Sequence, residues 1–378
     1  MCIIDKDGRT PLILACYNKS EEIALKLLEY SEECKLDHSD NDGNTALIWA
    51  CDNKMKVVAL KILEYPKKCN INKANKYDLT CFSYACDNNL EKVVLKMLES
   101  QQGCQMNSIS TNGNTFLIKA CHCKFEKVAL KILEYPKECA LSQINNNGNT
   151  ALIFACNNNL EKVALKILEH PKECKLDNVN DSNDTAFIMA CYKGLENVAL
   201  KILDYPEECL IESVCRYGYT FLLSACDWGL EKVALKLLEH PERCKLGQIN
   251  ENGNTALLRA CSKGLEKVAL KILEYNEECK LYHMNRSRHT ALYYAQNNNL
   301  NKVVMKIMDI QHKNEKVFPL HVNNECTICW ESTNKYYCIP ECKHCIGVCK
   351  ECNIYQLDKC LLCRNKINHK TIVPLAIT

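Results

Sequence analysis

Between 160 and 169 the apolar residues are Leu160, Val163, Ala164, Ile167 and Leu168, with Glu161, Lys162, Lys166 and Glu169 among them. That spacing puts the apolar set on one face of a helix. His170-Pro171 stops it, since proline cannot continue a helix. Upstream, Asn147-Gly148-Asn149-Thr150 is turn chemistry, with glycine at a left-handed backbone position. Thr150 then opens a shorter helix over 151–157, and Asn158-Asn159 closes it, asparagine being suited to the left-handed cap. The unit reads as turn, short helix, turn, amphipathic helix, loop.

This unit recurs. Threonine stands at Thr10, Thr45, Thr80, Thr115, Thr150, Thr185, Thr220, Thr255 and Thr290, a period of 35 residues without a slip. Alanine follows each threonine by five residues, from Ala15 to Ala295, and lysine by sixteen, from Lys26 to Lys306. One such helix pair cannot bury its own apolar face; stacked neighbours share a continuous core. The end units are expected to act as caps. The first starts partway through its turn, and the last departs from the pattern at Gln296, Asn301, Met305 and Met308.

The repeated unit resembles the ankyrin repeat. The family's G-x-T-x-L core stands here as Gly43-Asn-Thr45-Ala-Leu47 and its copies. The usual family period is 33, which puts two added residues near Pro-Lys-Glu-Cys, between the second helix and the next hairpin. The motif's histidine is replaced, as at Ile48. The resemblance covers about residues 1–309 and implies a mostly α fold, a solenoid of about nine 35-residue helix-turn-helix units.

Composition narrows the class. At 378 residues the chain suits two or three domains. A net charge of +2 leaves no electrostatic footprint for nucleic acid, and there is no 18-residue apolar run to span a membrane. Met1-Cys-Ile-Ile-Asp is not a signal peptide. The 29 cysteines therefore read as reduced thiols of the cytoplasm or nucleus rather than as a secreted disulfide framework. The abundance of Asn, Lys and Ile points to an A/T-rich genome and to no mechanism. Two cysteine series follow the repeat, one from Cys16 to Cys261 and one from Cys34 to Cys279. Small buried hydrophobes explain them better than a ladder of metal ligands, because no His or acid partner stands at ligand spacing.

The pattern ends after 309. Residues 310–322 read as a linker, and a different chemistry begins in 323–378. There Cys326-x2-Cys329, Cys342-x-His344, Cys349-x2-Cys352 and Cys360-x2-Cys363 put seven cysteines and one histidine into 38 residues. Thiolate and imidazole are ligands that Zn²⁺ prefers, four to a closed structural site, so eight read as two zinc ions. Cys345 makes an alternative pair with Cys342, and the choice between His344 and Cys345 stays open. So small a segment needs such staples to fold.

The ligand spacing resembles a RING domain. The resemblance implies a cross-braced pair of zinc sites, one of Cys326, Cys329, Cys349 and Cys352, the other of Cys342, His344, Cys360 and Cys363. In RING-type ubiquitin ligases a shallow apolar groove docks the ubiquitin-conjugating enzyme; Ile328, Leu357 and Leu361 take its positions here, Leu361 standing where proline is usual. A cation after the last ligand, Arg364 in this chain, holds the ubiquitin thioester closed through its planar fork of donors. The apolar tail over 371–378 packs on the RING or serves a homodimer.

The ankyrin resemblance implies a protein partner on the concave face, at the hairpin tips and the end of each first helix. Most units have Asn, Asp, Lys or Ser there. The seventh instead has Arg216, Tyr217, Tyr219, Asp227 and Trp228, and the sixth adds Tyr192 and Lys193. Trp, Tyr and Arg dominate interface hot spots, although drift in a loosely constrained repeat also produces such changes. Lys76, Tyr77 and Leu79 form a second, lesser candidate.

Together the resemblances imply a RING-type ubiquitin transferase with no covalent intermediate of its own. The repeats recruit a substrate, and the RING brings the charged conjugating enzyme. The rival is a non-catalytic adaptor whose zinc module serves binding or oligomerisation. Long uniform ankyrin stacks with a terminal RING resemble proteins of large DNA viruses, which implies the host cytoplasm, and also some eukaryotic ligases.

Overall fold

A computed structural model of the chain describes residues 4–30, 33–99 and 105–313, and the backbone of 336–339, 344–347 and 373–375. The chain divides into two compact units, Met1–Leu210 and Ile211–Thr378.

The first unit holds six helix pairs: α1 Pro11–Tyr17 and α2 Glu21–Leu28, α3 Ala46–Asp52 and α4 Lys56–Ile62, α5 Cys81–Asp87 and α6 Glu91–Glu99, α7 Phe116–His122 and α8 Glu126–Ile132, α9 Ala151–Asn157 and α10 Glu161–Ile167, and α11 Ala186–Tyr192 and α12 Glu196–Ile202. Each short first helix packs on the first helix of the next pair, and each second helix on the next second helix. The second unit repeats this with α13 Phe221–Asp227 and α14 Glu231–Leu237, α15 Ala256–Ser262 and α16 Glu266–Ile272, and α17 Ala291–Asn297 and α18 Asn301–Lys313. α18 runs past 309, where the repeats were expected to end. Three short strands follow: β1 Tyr336–Ile339, β2 His344–Gly347 and β3 Val373–Leu375. They form an antiparallel sheet in the order β2-β1-β3. The tail strand β3 thus pairs within its own chain.

The recurring threonine is the N-cap of every first helix. Its hydroxyl accepts from the backbone N–H three residues on, at 3.1–3.4 Å in all nine repeats. The alanine five residues later is buried, and its lack of a side chain beyond Cβ lets neighbouring helices approach. Gly148 has φ +73°, and a Cβ there would stand 2.8 Å from Asn180 Cα in the next hairpin, so close approach as well as turn geometry demands glycine.

What joins one repeat to the next is mainly asparagine. Eight residues after the threonine, the side chain of Asn158 donates to the carbonyls of Cys121 and His122, at 2.9 and 3.2 Å. Asn53, Asn88 and Asn298 do the same for their preceding repeats. These bonds satisfy carbonyls that the end of an α-helix leaves without an intrahelical partner. A second asparagine, five residues before the threonine, closes the hairpin in five repeats, as Asn75, Asn145, Asn180, Asn250 and Asn285. Asn145 Oδ1 accepts from the N–H groups of Asn147 and Asn149, and Asn145 Nδ2 donates to Asn114 of the preceding repeat. The asparagine content therefore has a structural cause that composition alone did not reveal.

The cysteine series are core, as expected. All those described are buried, and thiols of the second series turn inward to backbone carbonyls, Cys139 to Pro136 and Cys174 to Pro171. They plug the loop between the second helix and the next hairpin. Burial pushes Cys69, Cys139 and Cys279 up to about 11 and Cys16, Cys174, Cys244 and Cys261 up to about 12.

Asn158→Ala removes two bonds to the preceding repeat, although the Cys121 carbonyl keeps the Lys124 N–H, and is expected to cost about 1 kcal/mol in urea unfolding. The exposed neighbour substitution Asn157→Ala should stay within about 0.5 kcal/mol. A second expectation concerns pH. Unfolded thiols ionise near 8.5 while the buried ones stay protonated, so above that pH the native chain binds more protons and stability falls as pH rises. The fall is up to about 1.4 kcal/mol per thiol and pH unit. The urea midpoint should drop between pH 8.5 and 10, and Cys174→Ala should flatten that slope.

Candidate functional site

In the second unit the hairpin tip of the seventh repeat is the 3-10 turn Arg216–Gly218, with Tyr217 in left-handed backbone at φ 62° and 47% exposed. A tyrosine held there is costly without a reason, since glycine or asparagine adopts that region more readily. The side chain of Arg216 lies outside the described residues. Trp228, directly after α13, is 45% exposed. Tyr219 and Asp227 are placed differently from these two. Tyr219 is half-buried, and its hydroxyl donates to Asp227 Oδ2 at 2.6 Å; Asp227 is buried and also pairs with Arg259. Asp227 is therefore a support inside the surface rather than a contact on it. Burial first, then the adjoining Asp227 carboxylate, push the Tyr219 phenol up to about 12, so it remains a neutral donor.

The seventh repeat thus departs from its siblings at several joining positions together. Cys215 stands where others have the hairpin asparagine, Tyr219 where others have the asparagine that accepts from the next hairpin, and Trp228 at the carbonyl-tying position. A tyrosine–aspartate–arginine network occupies the space. Sequence reasoning singled out Tyr219 and Asp227 by position but not their bond. Arg259, four residues after its threonine, it missed.

In the first unit Tyr192 is 49% exposed, and Lys193, the C-cap of α11, places its ammonium 4.7 Å from the Tyr192 ring centre. Of the lesser candidate, Tyr77 is 61% exposed, Lys76 pairs with Asp42 at 2.6 Å, and Leu79 is half-buried.

The position four residues after each threonine lies one helical turn before those considered in the sequence, on the same face. It carries Leu14, Trp49, Tyr84, Lys119, Phe154 and Met189 in this unit, all half-buried or exposed. Trp49 is fixed by a 2.8 Å bond from Nε1 to Asp40 and by the edge of Tyr17, 4.9 Å away. A four-residue step along the first helix would have found this row.

The zinc-ligand candidates Cys326, Cys329, Cys342, Cys349, Cys352, Cys360 and Cys363 lie outside the described residues, as do Ile328, Leu357, Leu361 and Arg364. His344 begins β2, with its backbone opposite Ile339; the alternative Cys345 stands opposite Cys338. The donor set itself, seven thiols and an imidazole, is chemically suited to zinc. Among the described residues no group of three or more His, Cys, Asp or Glu is placed to hold a metal, and no helix is long and apolar enough to cross a membrane.

No curated protein matches the chain. One solved structure, a predatory endopeptidase from Bdellovibrio bacteriovorus in complex with an immunity protein, is 19% identical to it. The match covers 53% of this chain and 99% of that one, with a TM-score of 0.40, too weak a likeness to carry anything about function. Residues 1–75 and 82–177 match the family model for ankyrin repeats, in three copies. The helix pairs within those residues, α1 to α10, with their threonine caps, are similar to ankyrin repeats.

Proposed function

We propose that the chain is a substrate-recruiting ubiquitin ligase of the RING type. Ankyrin repeats are a protein-interaction module, and the seventh repeat supports a docking surface there. Tyr217 and Trp228 are exposed while the polar groups beside them are tied down by Asp227 and Arg259. Rigid aromatic anchors with two rotatable side-chain bonds lose little entropy on binding.

The observation that carries the ligase reading is the eight-ligand spacing from Cys326 to Cys363 followed directly by Arg364. In this reading two zinc ions hold the segment folded, with His344 or Cys345 completing the ligands, and Ile328, Leu357 and Leu361 bind a ubiquitin-conjugating enzyme. A substrate lysine attacks the thioester carbonyl, the conjugating enzyme's thiolate leaves, and an isopeptide bond forms. This chain's contribution is positioning, with Arg364 restricting the bound ubiquitin. A second reading, a binding adaptor with a structural zinc module, draws support from Leu361 in place of proline.

The test is autoubiquitination by the full chain with a panel of conjugating enzymes, zinc being counted by native mass spectrometry. Two zincs with activity lost in both Ile328→Ala and Arg364→Ala is the expected result. Two zincs with no transfer in any pairing leaves the adaptor. For the docking surface, Trp228→Ala is expected to weaken a bound substrate by about 30-fold, the size of a hot-spot loss of about 2 kcal/mol.

A further inference from the structure

We propose that the first two repeats form a docking site for a basic protein segment, with a lysine or arginine side chain of the partner held between the Trp49 ring and the Asp52 carboxylate. The site lies within the first unit and depends neither on the ligase reading nor on the Trp228 surface. It starts from a substitution in the hairpin. Five residues before the threonine, several repeats have an asparagine whose amide donates to the preceding repeat, as Asn75 does to Asn44 at 2.9 Å. The second repeat has Asp40 there. A carboxylate has no N–H to give, so it only accepts. Asp40 Oδ1 takes the N–H groups of Asp42 and Asn44 at 3.0 and 2.8 Å, and Oδ2 takes the Trp49 indole N–H at 2.8 Å. Asp40 is 8% exposed, and no cation pairs with it among the described residues. Its charge therefore sits at the N–H edge of the indole, where it enriches the face of the ring and favours a cation there.

Asp52 brings a second charge. It stands three residues after Trp49 in α3, on the same face, which puts the two Cβ atoms about 5–6 Å apart. One ammonium or guanidinium group can touch both side chains at that spacing. Seven residues after the threonine, the other acids of the chain are already answered: Asp87 pairs with Lys119, and Asp227 with Arg259, each four residues after the next threonine. For Asp52 that next residue is Tyr84, which carries no charge and whose hydroxyl accepts from Asn75 at 3.3 Å. Asp52 is half-buried and has no ion pair among the described residues. Burial pushes its carboxyl up, and Lys19, from the turn after α1, opposes this.

Other rings of this unit already take cations. The Arg9 guanidinium lies 4.2 Å from the Tyr17 ring centre, Lys193 4.7 Å from that of Tyr192, and Lys76 5.1 Å from that of Tyr77. Tryptophan is the strongest of the aromatic side chains in this role. Trp49 is half-buried, has a carboxylate on its N–H, and has no cation over it among the described residues. Tyr17, 41% exposed, meets it edge to face at 4.9 Å and widens the apolar wall; the Arg9 on Tyr17 is matched by Asp7 at 3.3 Å. The charge left over at the site is thus negative, from Asp40 and Asp52. An apolar segment seated here would strip water from Asp52 with nothing in return, and an acidic one would be repelled. A lysine or arginine fits both parts, its stem along Trp49 and Tyr17 and its charge at Asp52.

The experiment uses the full chain with isotope-labelled tryptophan, observed by nuclear magnetic resonance. Its 3 tryptophans give separate indole N–H signals, and Trp49→Phe identifies that of Trp49. The probe is a short peptide alternating lysine and glycine. Its control is the same peptide with every lysine acetylated, which keeps the stems and removes the charge. The lysine peptide is expected to move the Trp49 signal along a saturable curve that weakens as salt rises, and the acetylated peptide to leave it in place. Asp52→Asn gives up no side-chain bond seen in the structure, so the chain should keep its circular dichroism while its affinity for the lysine peptide falls by about fivefold. An acetylated peptide that moves the Trp49 signal equally overturns the proposal. So does a lysine peptide that leaves the signal in place, or an Asp52→Asn chain that binds as tightly as the original.

Discussion

In four of the repeats the stack is held in register by a side chain reaching backwards, that of Asn53, Asn88, Asn158 or Asn298. An isolated pair of seven-residue helices is too short to hold itself together in water, and it has no core of its own. The carboxamide of Asn158, like that of Asn53 or Asn88, donates to two carbonyls at the end of the preceding first helix, adding to the backbone N–H that already caps one of them. It does so while the buried leucines, isoleucines and alanines of both repeats close on one another. Apolar burial is non-directional and drives the association; the asparagine bonds set its register.

Within that frame, some repeats give the tie up. Trp228 and Cys123 occupy the same place in their repeats as Asn158 does in the fifth. Each brings a side chain of another kind, aromatic area in one case and a thiol in the other. Neither loss is bare. Arg259 and Tyr219 brace Asp227 beside the tryptophan, and stacked phenylalanines with a lysine–aspartate pair brace the junction around the thiol. The pattern separates positions that any repeat must fill from positions a particular repeat has changed.

Much of this was legible in the sequence because the period is strict. Thr150 as cap, the helix over 151–157 and the left-handed Asn159 all stand where the residues put them. So do the buried cysteines, which a ladder of ligands would have required to face one another with acid or imidazole partners. The asparagine ties escaped notice because they join residues 36 and 37 apart, a distance at which no local pattern speaks. Asp227 looked like a contact because its position lies near a surface; its burial follows from Arg259 in the next repeat.

Because each asparagine tie joins fixed positions in adjacent units, it does not depend on which units are adjacent. A tandem duplication or loss of 35 residues regenerates the same bond at the new junction, so copy number can drift during replication without breaking the stack. The exceptions are the private pairs. Phe82 needs Phe116, and Asp227 needs Arg259, so the third and fourth repeats, like the seventh and eighth, must be inherited together and in order. The interchangeable units serve as length, and the matched ones keep the chain's identity.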